Sequence, residues 1–338
     1  MSGIAQGRPV FDPAGEDELD RTLRPRSFAD FVGQARVVGN LRVHLEAARA
    51  RSEPPDHVLL TGLPGLGKTT LAHLLATEPG AGLRITTGPA LERARDLVGI
   101  LSNLQPGDVL FIDEIHRIPP AVEEILYPAM EDFRVDLTID QGPNARVLNL
   151  RLARFTLVGA TTREGLLSPP FRSRFGVVER LEPYPPEDIA AIVRRGAERL
   201  DVSLDPKAEE LLARRSRGIP RIGIRLLRRV RDLAQVRGSA RLTVALAEEG
   251  LAMLGVDEAG LEELDRRILG AILRLGGGPV GLKTIAMAVG EEPDTIESVY
   301  EPFLVREGYL EKSPRGRSAT PLARRAVRAV RNADRSLF

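Results

Sequence analysis

Gly62, Gly67, Lys68 and Thr69 stand in the order G-x-x-x-x-G-K-T inside TGLPGLGKTTLA, residues 61 to 72. Glycines at this spacing let backbone N–H groups turn inward around a phosphate, and a helix beginning at the lysine presents its positive end. Lys68 is one of only four lysines among 48 basic residues. In this pattern its ammonium group reaches the β- and γ-phosphates, while the Thr69 hydroxyl can ligate Mg²⁺. Gly65 and Thr70 complete the predicted phosphate-binding set. The context the pattern requires is present: the apolar run HVLLT (57–61) precedes it as a strand, and a helical stretch follows. A triphosphate is the expected ligand.

A second chemical pair lies in VLFIDEIHR, residues 109 to 117. Asp113 ends an apolar strand and is placed to hold Mg²⁺, directly or through water. Glu114 is the candidate that orients and deprotonates an attacking water. Such acidic pairs also cap helices, so the assignment draws its strength from the phosphate loop. No acceptor site is recognisable, which points to hydrolysis rather than transfer.

The elements that must position these residues read as an α/β fold. HVLLT, VLFID (109–113) and FTLVGATT (155–162) are three short buried strands alternating with helices, which implies a parallel sheet covered on both faces. FRVDLTIDQGPNARVLNLRL (133–152) breaks the rhythm, alternating apolar and polar residues on either side of QGPNA. It predicts an inserted hairpin with Val135, Leu137 and Ile139 on one exposed face. After Pro185 and Pro186 only helical patterns continue, as far as about residue 256. From Asp257 onward, three helices and a basic hairpin, YLEKSPRGRSATP, make a winged helix. The expected organisation is therefore a loose N-terminus (1–20), a large nucleotide-binding domain (21–184), a helical domain (185–256) and a winged-helix domain (257–338).

Composition limits the alternatives. With 338 residues, 43% hydrophobic and 28% charged, the chain is a globular protein of two or three domains. It has no cysteine, and its four histidines (His44, His57, His73, His116) show no ligand-like spacing, so they read as surface or core-edge residues. No apolar run would span a bilayer and no leader-like segment opens the chain, so a cytoplasmic protein without a membrane partner is expected. Net charge is only +1, yet residues 312–338 carry eight basic groups against one acid, Asp334. Such an excess steers a polyanion toward one end of the molecule. Lys312, Arg315 and Arg317 flank the Pro-Arg-Gly turn, which offers no planar amide or carboxylate for reading base edges. They are the predicted contacts to a DNA backbone, without sequence preference.

The combination resembles the AAA+ ATPases and, more narrowly, the RuvB family of Holliday-junction branch-migration motors. The resemblance is carried by LRPRSFADFVGQ (23–34), the phosphate loop, LFIDEIHR, LVGATTREGLLSPPFRSRFG (157–176), SRGIPRIGIRLLRRVRD (216–232) and GEEPDTIESVYEPFLVREGYLEKSPRGRSATPLA (290–323). One departure is Leu63, where the family commonly has proline. The resemblance implies an AAA+ P-loop core with a parallel sheet, a helical lid and a C-terminal winged helix. It also implies a hexameric ATPase that moves duplex arms with RuvA during recombination and repair, in the SOS response, with RuvC as a further partner. Thr162 would be the first sensor, near the γ-phosphate or the attacking water. Arg174 would be the arginine finger offered to a neighbouring subunit's ATP, and Arg221 the second sensor. Tyr184, with Leu23, Arg24, Phe31 and Val32, would line the nucleotide pocket. Glu131, Asp132 and Phe133 would lie near the neighbour's nucleotide, and the apolar face of the hairpin would dock on RuvA.

Two other classes share parts of this pattern. A clamp-loader-like ATPase has the core, finger and lid, but often zinc-binding cysteines and a helical collar. An ATP-switched regulator would use the winged helix to recognise an operator, yet PDTIESVYEPF (293–303) offers few side chains suited to base edges. A protein-remodelling ATPase leaves the basic wing unexplained.

Overall fold

A computed structural model describes residues 23–139 and 146–327, with the side chains of residues 137–148 outside the description. The N-terminal stretch 1–20, the hairpin tip 140–145 and Arg328, Arg331 and Arg335 likewise lie outside the described residues. The chain divides into two compact units; one ends at Glu182, the other begins at Pro183 and also includes Leu63–Gly65 of the phosphate loop.

The first unit is built on β1 (Val58–Thr61), β2 (Leu83–Thr87), β3 (Val109–Asp113), β6 (Thr156–Thr161) and β7 (Val177–Arg180). They pair in the order β2-β3-β6-β1-β7, all parallel. The three strands expected from the sequence are the central ones: all four residues of β1 and all six of β6 are buried. Edge strands β2 and β7 each bury only one residue, Thr86 and Glu179, so neither carries the continuous apolar run that marks a strand in the sequence. Parallel pairing brings the carboxyl ends of β1, β3 and β6 to one edge, with Thr61 opposite Thr161 and Ile112 opposite Gly159. Such an edge is where ligands bind in open α/β sheets.

Helices α1 (Ala35–Arg51), α2 (Lys68–Thr77), α3 (Ala94–Leu101), α4 (Pro120–Glu131) and the single turn α5 (Pro169–Arg172) accompany the sheet. One core cluster includes Leu59, Leu110, Ile112, Leu126, Phe155 and Phe171. The expected hairpin forms from β4 (Arg134–Ile139) and β5 (Arg146–Arg151), paired antiparallel outside the main sheet. One part of that expectation is corrected. Val135 is fully buried and joins the core cluster, because the root of the hairpin lies against α4. It is therefore not part of an exposed docking face. The side chains of Leu137 and Ile139, further along the strand, lie outside the described residues.

In the second unit, α6 (Pro186–Arg199), α7 (Pro206–Arg215), α8 (Pro220–Val236) and α9 (Val244–Met253) pack together, with a two-residue parallel pair, β8 (Ser203–Leu204) and β9 (Arg241–Leu242). The winged helix follows as α10 (Glu263–Arg274), α11 (Leu282–Val289) and a third helical stretch of Pro293–Thr295, a π turn Ile296–Tyr300 and α12 (Glu301–Arg306). Pro302 sits in the first turn of α12. Proline supplies no N–H to an i→i−4 ladder, and the wider π turn directly precedes it. The wing is β10 (Leu310–Ser313) and β11 (Gly316–Ala319), antiparallel, with Lys312 opposite Arg317.

Candidate active site

The phosphate loop has the backbone that the glycine spacing requires. Gly62, Gly65 and Gly67 have φ of 140°, 79° and 102°, a region open to glycine at little cost. A Cβ on Gly62 would fall 2.7 Å from the Leu181 carbonyl oxygen, so the loop can lie there only without a side chain. Gly67 caps α2, whose first residue is Lys68. Lys68 is 7% exposed, and its Nζ donates to the Gly62 carbonyl at 2.8 Å. The ammonium group is thus held within the loop. Thr69 and Thr70 follow in the first turn, both half-buried.

Asp113 closes β3, and its Oδ1 accepts the Glu114 backbone N–H at 2.9 Å. Glu114 has φ of 50°, a strained conformation for a residue with a side chain. Its carbonyl is approached so closely by Gly88 that a Cβ there would lie 2.3 Å from the oxygen. Burial first, then the neighbouring Asp113 charge, raises the Glu114 carboxyl above its ordinary 4.5, while Lys68, Arg117 and Arg163 oppose the shift. A carboxyl moved toward neutrality is better matched to general-base work.

His116 joins this pair, although its spacing gave no sign of it. Its Nε2 lies 3.5 Å from Glu114 Oε2 and its Nδ1 is 2.9 Å from Thr161 Oγ1. Thr161 is fully buried at the end of β6 and also accepts the Arg163 N–H at 2.9 Å. The expected sensor, Thr162, is the next residue and is half-buried. The imidazole therefore bridges the carboxylate after β3 and the end of β6. Only the three-dimensional pairing of β3 with β6 brings these residues together.

Arg174 follows α5. Its guanidinium lies 4.1 Å over the Tyr127 ring, and its Nη1 donates to the Pro170 carbonyl at 2.6 Å. Its Nε is 3.1 Å from Glu131 Oε1, an ion pair out of line for a hydrogen bond. Tyr127 is itself fixed, donating to Glu123 at 2.5 Å with Ser168 3.3 Å away. Glu131 and Asp132 are exposed, whereas the Phe133 ring turns inward, 5.9 Å from Phe155 and 6.3 Å from His57.

Leu23, Arg24, Phe31 and Val32 are half-buried in the segment before α1. Arg24 Nη1 lies 2.5 Å from His73 Nε2, which docks the segment on α2. In the second unit Tyr184 is buried, its N–H bonded to the Gly218 carbonyl at 2.8 Å. Arg221 has an exposed side chain in the first turn of α8, and its N–H lies 3.4 Å from the carbonyl of Gly65, which belongs to the same unit.

The wing departs from expectation at two of its three cations. Arg317 Nε donates to Glu301 at 2.5 Å, and Lys312 Nζ to Glu297 at 2.8 Å, with Glu301 3.2 Å away. Both are paired within the module with carboxylates of the preceding helical stretch; Arg317 is thereby held at 11% exposure and withdrawn from a phosphate backbone, whereas Lys312 stays exposed in its pair. Arg315, at the turn, is exposed and has no ion pair among the described residues.

Residues 23–181 match the Holliday junction DNA helicase RuvB P-loop domain, residues 184–257 the RuvB AAA lid domain, and residues 258–328 the RuvB C-terminal winged helix domain. The Holliday junction branch migration complex subunit RuvB of Methanoregula boonei is 56% identical over 313 residues, 92% of this chain and 93% of its own. The Thermotoga maritima RuvB Holliday junction branch migration motor is similar in structure, with a TM-score of 0.83 at 46% identity over 91% of this chain and 98% of its own. A single-substitution mutant of the same Thermotoga protein reaches 0.85 at 46% identity over 90% and 98%. Neither the clamp-loader nor the regulator alternative is favoured by these likenesses. P-loop core, lid and winged helix are matched in order along one chain, and the chain belongs to the RuvB family.

Proposed function

We propose that this chain is the ATP-hydrolysing motor that drives branch migration of Holliday junctions, working with RuvA as a ring of six identical subunits. One observation carries the reading most directly. A complete phosphate-hydrolysis set (Lys68, Thr69, Asp113, Glu114) shares a chain with a winged helix whose turn presents an exposed Arg315.

Lys68 holds the β- and γ-phosphates, and Glu114 orients a water and takes its proton as the water attacks the γ-phosphorus, the bond from that phosphorus to the β-phosphate oxygen breaks, and ADP and phosphate leave. The hydroxyl of Thr69 and the carboxylate of Asp113 are hard oxygen donors that suit Mg²⁺. Held there, Mg²⁺ would supply charge neutralisation on the phosphate oxygens. Arg174 of one subunit completes the neighbour's site, and Arg221 is the second sensor. Tyr184, Leu23, Arg24, Phe31 and Val32 hold the rest of the nucleotide, and Thr162 senses the γ-phosphate. Glu131 and Asp132 face the adjoining subunit, and Leu137 and Ile139 of the hairpin carry the RuvA contact. RuvC acts on the same junction. No described helix is long and apolar enough to cross a membrane.

The deciding assay is ATP-dependent movement of a four-way junction, with and without RuvA, against a linear duplex. Movement that needs ATP and rises with RuvA is the expected result. Hydrolysis that responds equally to linear duplex and moves no junction would overturn the reading.

A further inference from the structure

The loop Ser216–Ile219, between α7 and α8, holds an arginine, Arg217, that is not among the nucleotide-site residues named above. Arg217 is only 5% exposed and has φ of 57°, a conformation costly for a residue with a side chain. Its guanidinium leaves the lid and inserts into the winged helix. Nε donates to the Gly260 carbonyl at 3.0 Å, and the two terminal nitrogens fork onto Asp265, one at 3.5 Å to Oδ1 and the other closer on Oδ2. Asp265 is fully buried in the first turn of α10 and also accepts the Glu262 N–H at 2.7 Å. The guanidinium plane lies 4.4 Å over the Phe303 ring. In the opposite direction, Arg306 Nη2 donates to the Arg217 carbonyl at 2.9 Å. A second strap lies outside, where Arg225 of α8 reaches Glu262 at 2.7 Å.

A buried ion pair is weak evidence for stability, since desolvation costs about as much as the attraction returns. What a forked pair does supply is geometry: one orientation of two elements is satisfied and others strand a buried charge. Here the two elements are the start of α8 and the start of α10. Arg217 stands four residues before Arg221, whose N–H approaches the carbonyl of the phosphate-loop residue Gly65. The same short segment thus touches the phosphate loop at one end and the DNA-binding module at the other.

We propose that Arg217, clamped on Asp265, is the coupling residue that passes movement of the α8 N-terminus to the winged helix, so that ATP turnover becomes movement of DNA. It acts by positioning and touches neither nucleotide nor DNA. The proposal rests on the motor reading above.

The test compares the full-length wild type with Arg217→Ala, Arg217→Lys and Asp265→Asn, with RuvA and a four-way junction. Two quantities are read: ATP hydrolysed and junction moved. For Arg217→Ala and Asp265→Asn, DNA-stimulated hydrolysis should fall less than threefold while junction moved per ATP falls at least tenfold. Arg217→Lys keeps a cation against Asp265 but loses the fork, and should give an intermediate ratio. A merely structural role would lower both quantities together or lower the melting temperature alone. If Arg217→Ala does not fold, Arg217→Lys decides, and an unchanged ratio in that folded variant overturns the proposal. A wild type that moves no junction overturns the motor reading itself. A wild type that moves junctions beside fully coupled variants overturns only the role of Arg217.

Discussion

Arg317 Nε donates to Glu301 Oε1 at 2.5 Å, and both side chains are largely withdrawn from water, at 11% and 3% exposure. The wing is therefore pinned to α12 by the cation that the sequence assigned to DNA. Removing Arg317 leaves the buried Glu301 carboxylate with Lys312, 3.2 Å away, in place of its shorter bond, a loss of about 1–3 kcal/mol. Arg317→Ala should lower the melting temperature of the protein. Arg315→Ala should leave melting unchanged, weaken DNA binding by a similar factor on unrelated sequences, and reduce the salt slope by about one. Melting curves and salt titrations of binding check both. Unchanged melting with lost affinity in Arg317→Ala would return that residue to the DNA surface.

Much of the candidate nucleotide site is legible because its parts are contiguous. The phosphate loop and the Asp113–Glu114 pair each sit at the end of one apolar strand, and the chemistry follows from local spacing. His116 was not legible, since its partner Thr161 lies 45 residues away and meets it only through pairing of β3 with β6. The wing failed differently. A charge count over residues 312–338 sees the cations but not Glu297 and Glu301, which precede it in sequence and face it in space. Val135 shows the same limit for alternating patterns. Period two places a residue on one face of a strand, yet the root of a projecting hairpin can still be core.

Glu114→Gln removes the candidate base while keeping its shape and the contact with His116. ATP binding should survive and turnover should fall by about 10²–10⁴-fold. The sign of the pH effect follows from the raised carboxyl. A base works only when deprotonated, so acidification should quench the wild-type rate at a higher pH than an ordinary carboxylate would. Pre-steady-state hydrolysis across pH measures this. An acid limb at the position of an unshifted glutamate would remove the assignment.

Arg174 rests on Tyr127 and Glu131 of its own chain, and under the motor reading proposed above it completes a neighbour's site. Arg174→Ala should keep nucleotide affinity but lose about 10³-fold or more in turnover. Rings mixed from Arg174→Ala and Glu114→Gln subunits should regain partial activity, because an intact base then meets an intact finger across some interfaces. Mixed rings as inactive as either parent would exclude a finger supplied in trans.

His57 offers a stability test independent of catalysis. Its Nδ1 accepts the Leu157 N–H at 2.8 Å, so the ring proton sits on Nε2, 3.0 Å from the Met130 carbonyl. Adding a second proton would break the first bond and charge a ring lying 5.6 Å from Phe155. Burial accordingly lowers the imidazole below its ordinary 6.5, with Met130 and Asp56 opposing. The unfolded chain protonates this histidine first, so it binds more protons than the folded chain below about pH 6.5. The stability that depends on neutral His57 is whole above that value and drains as pH falls toward the folded pKa, at up to about 1.4 kcal/mol per pH unit. His57→Asn should be less stable at pH 7.5 yet lose less on transfer to pH 5.5, as denaturant unfolding at the two values would show. Parallel losses in variant and wild type would mean that His57 already carries its proton in the folded core.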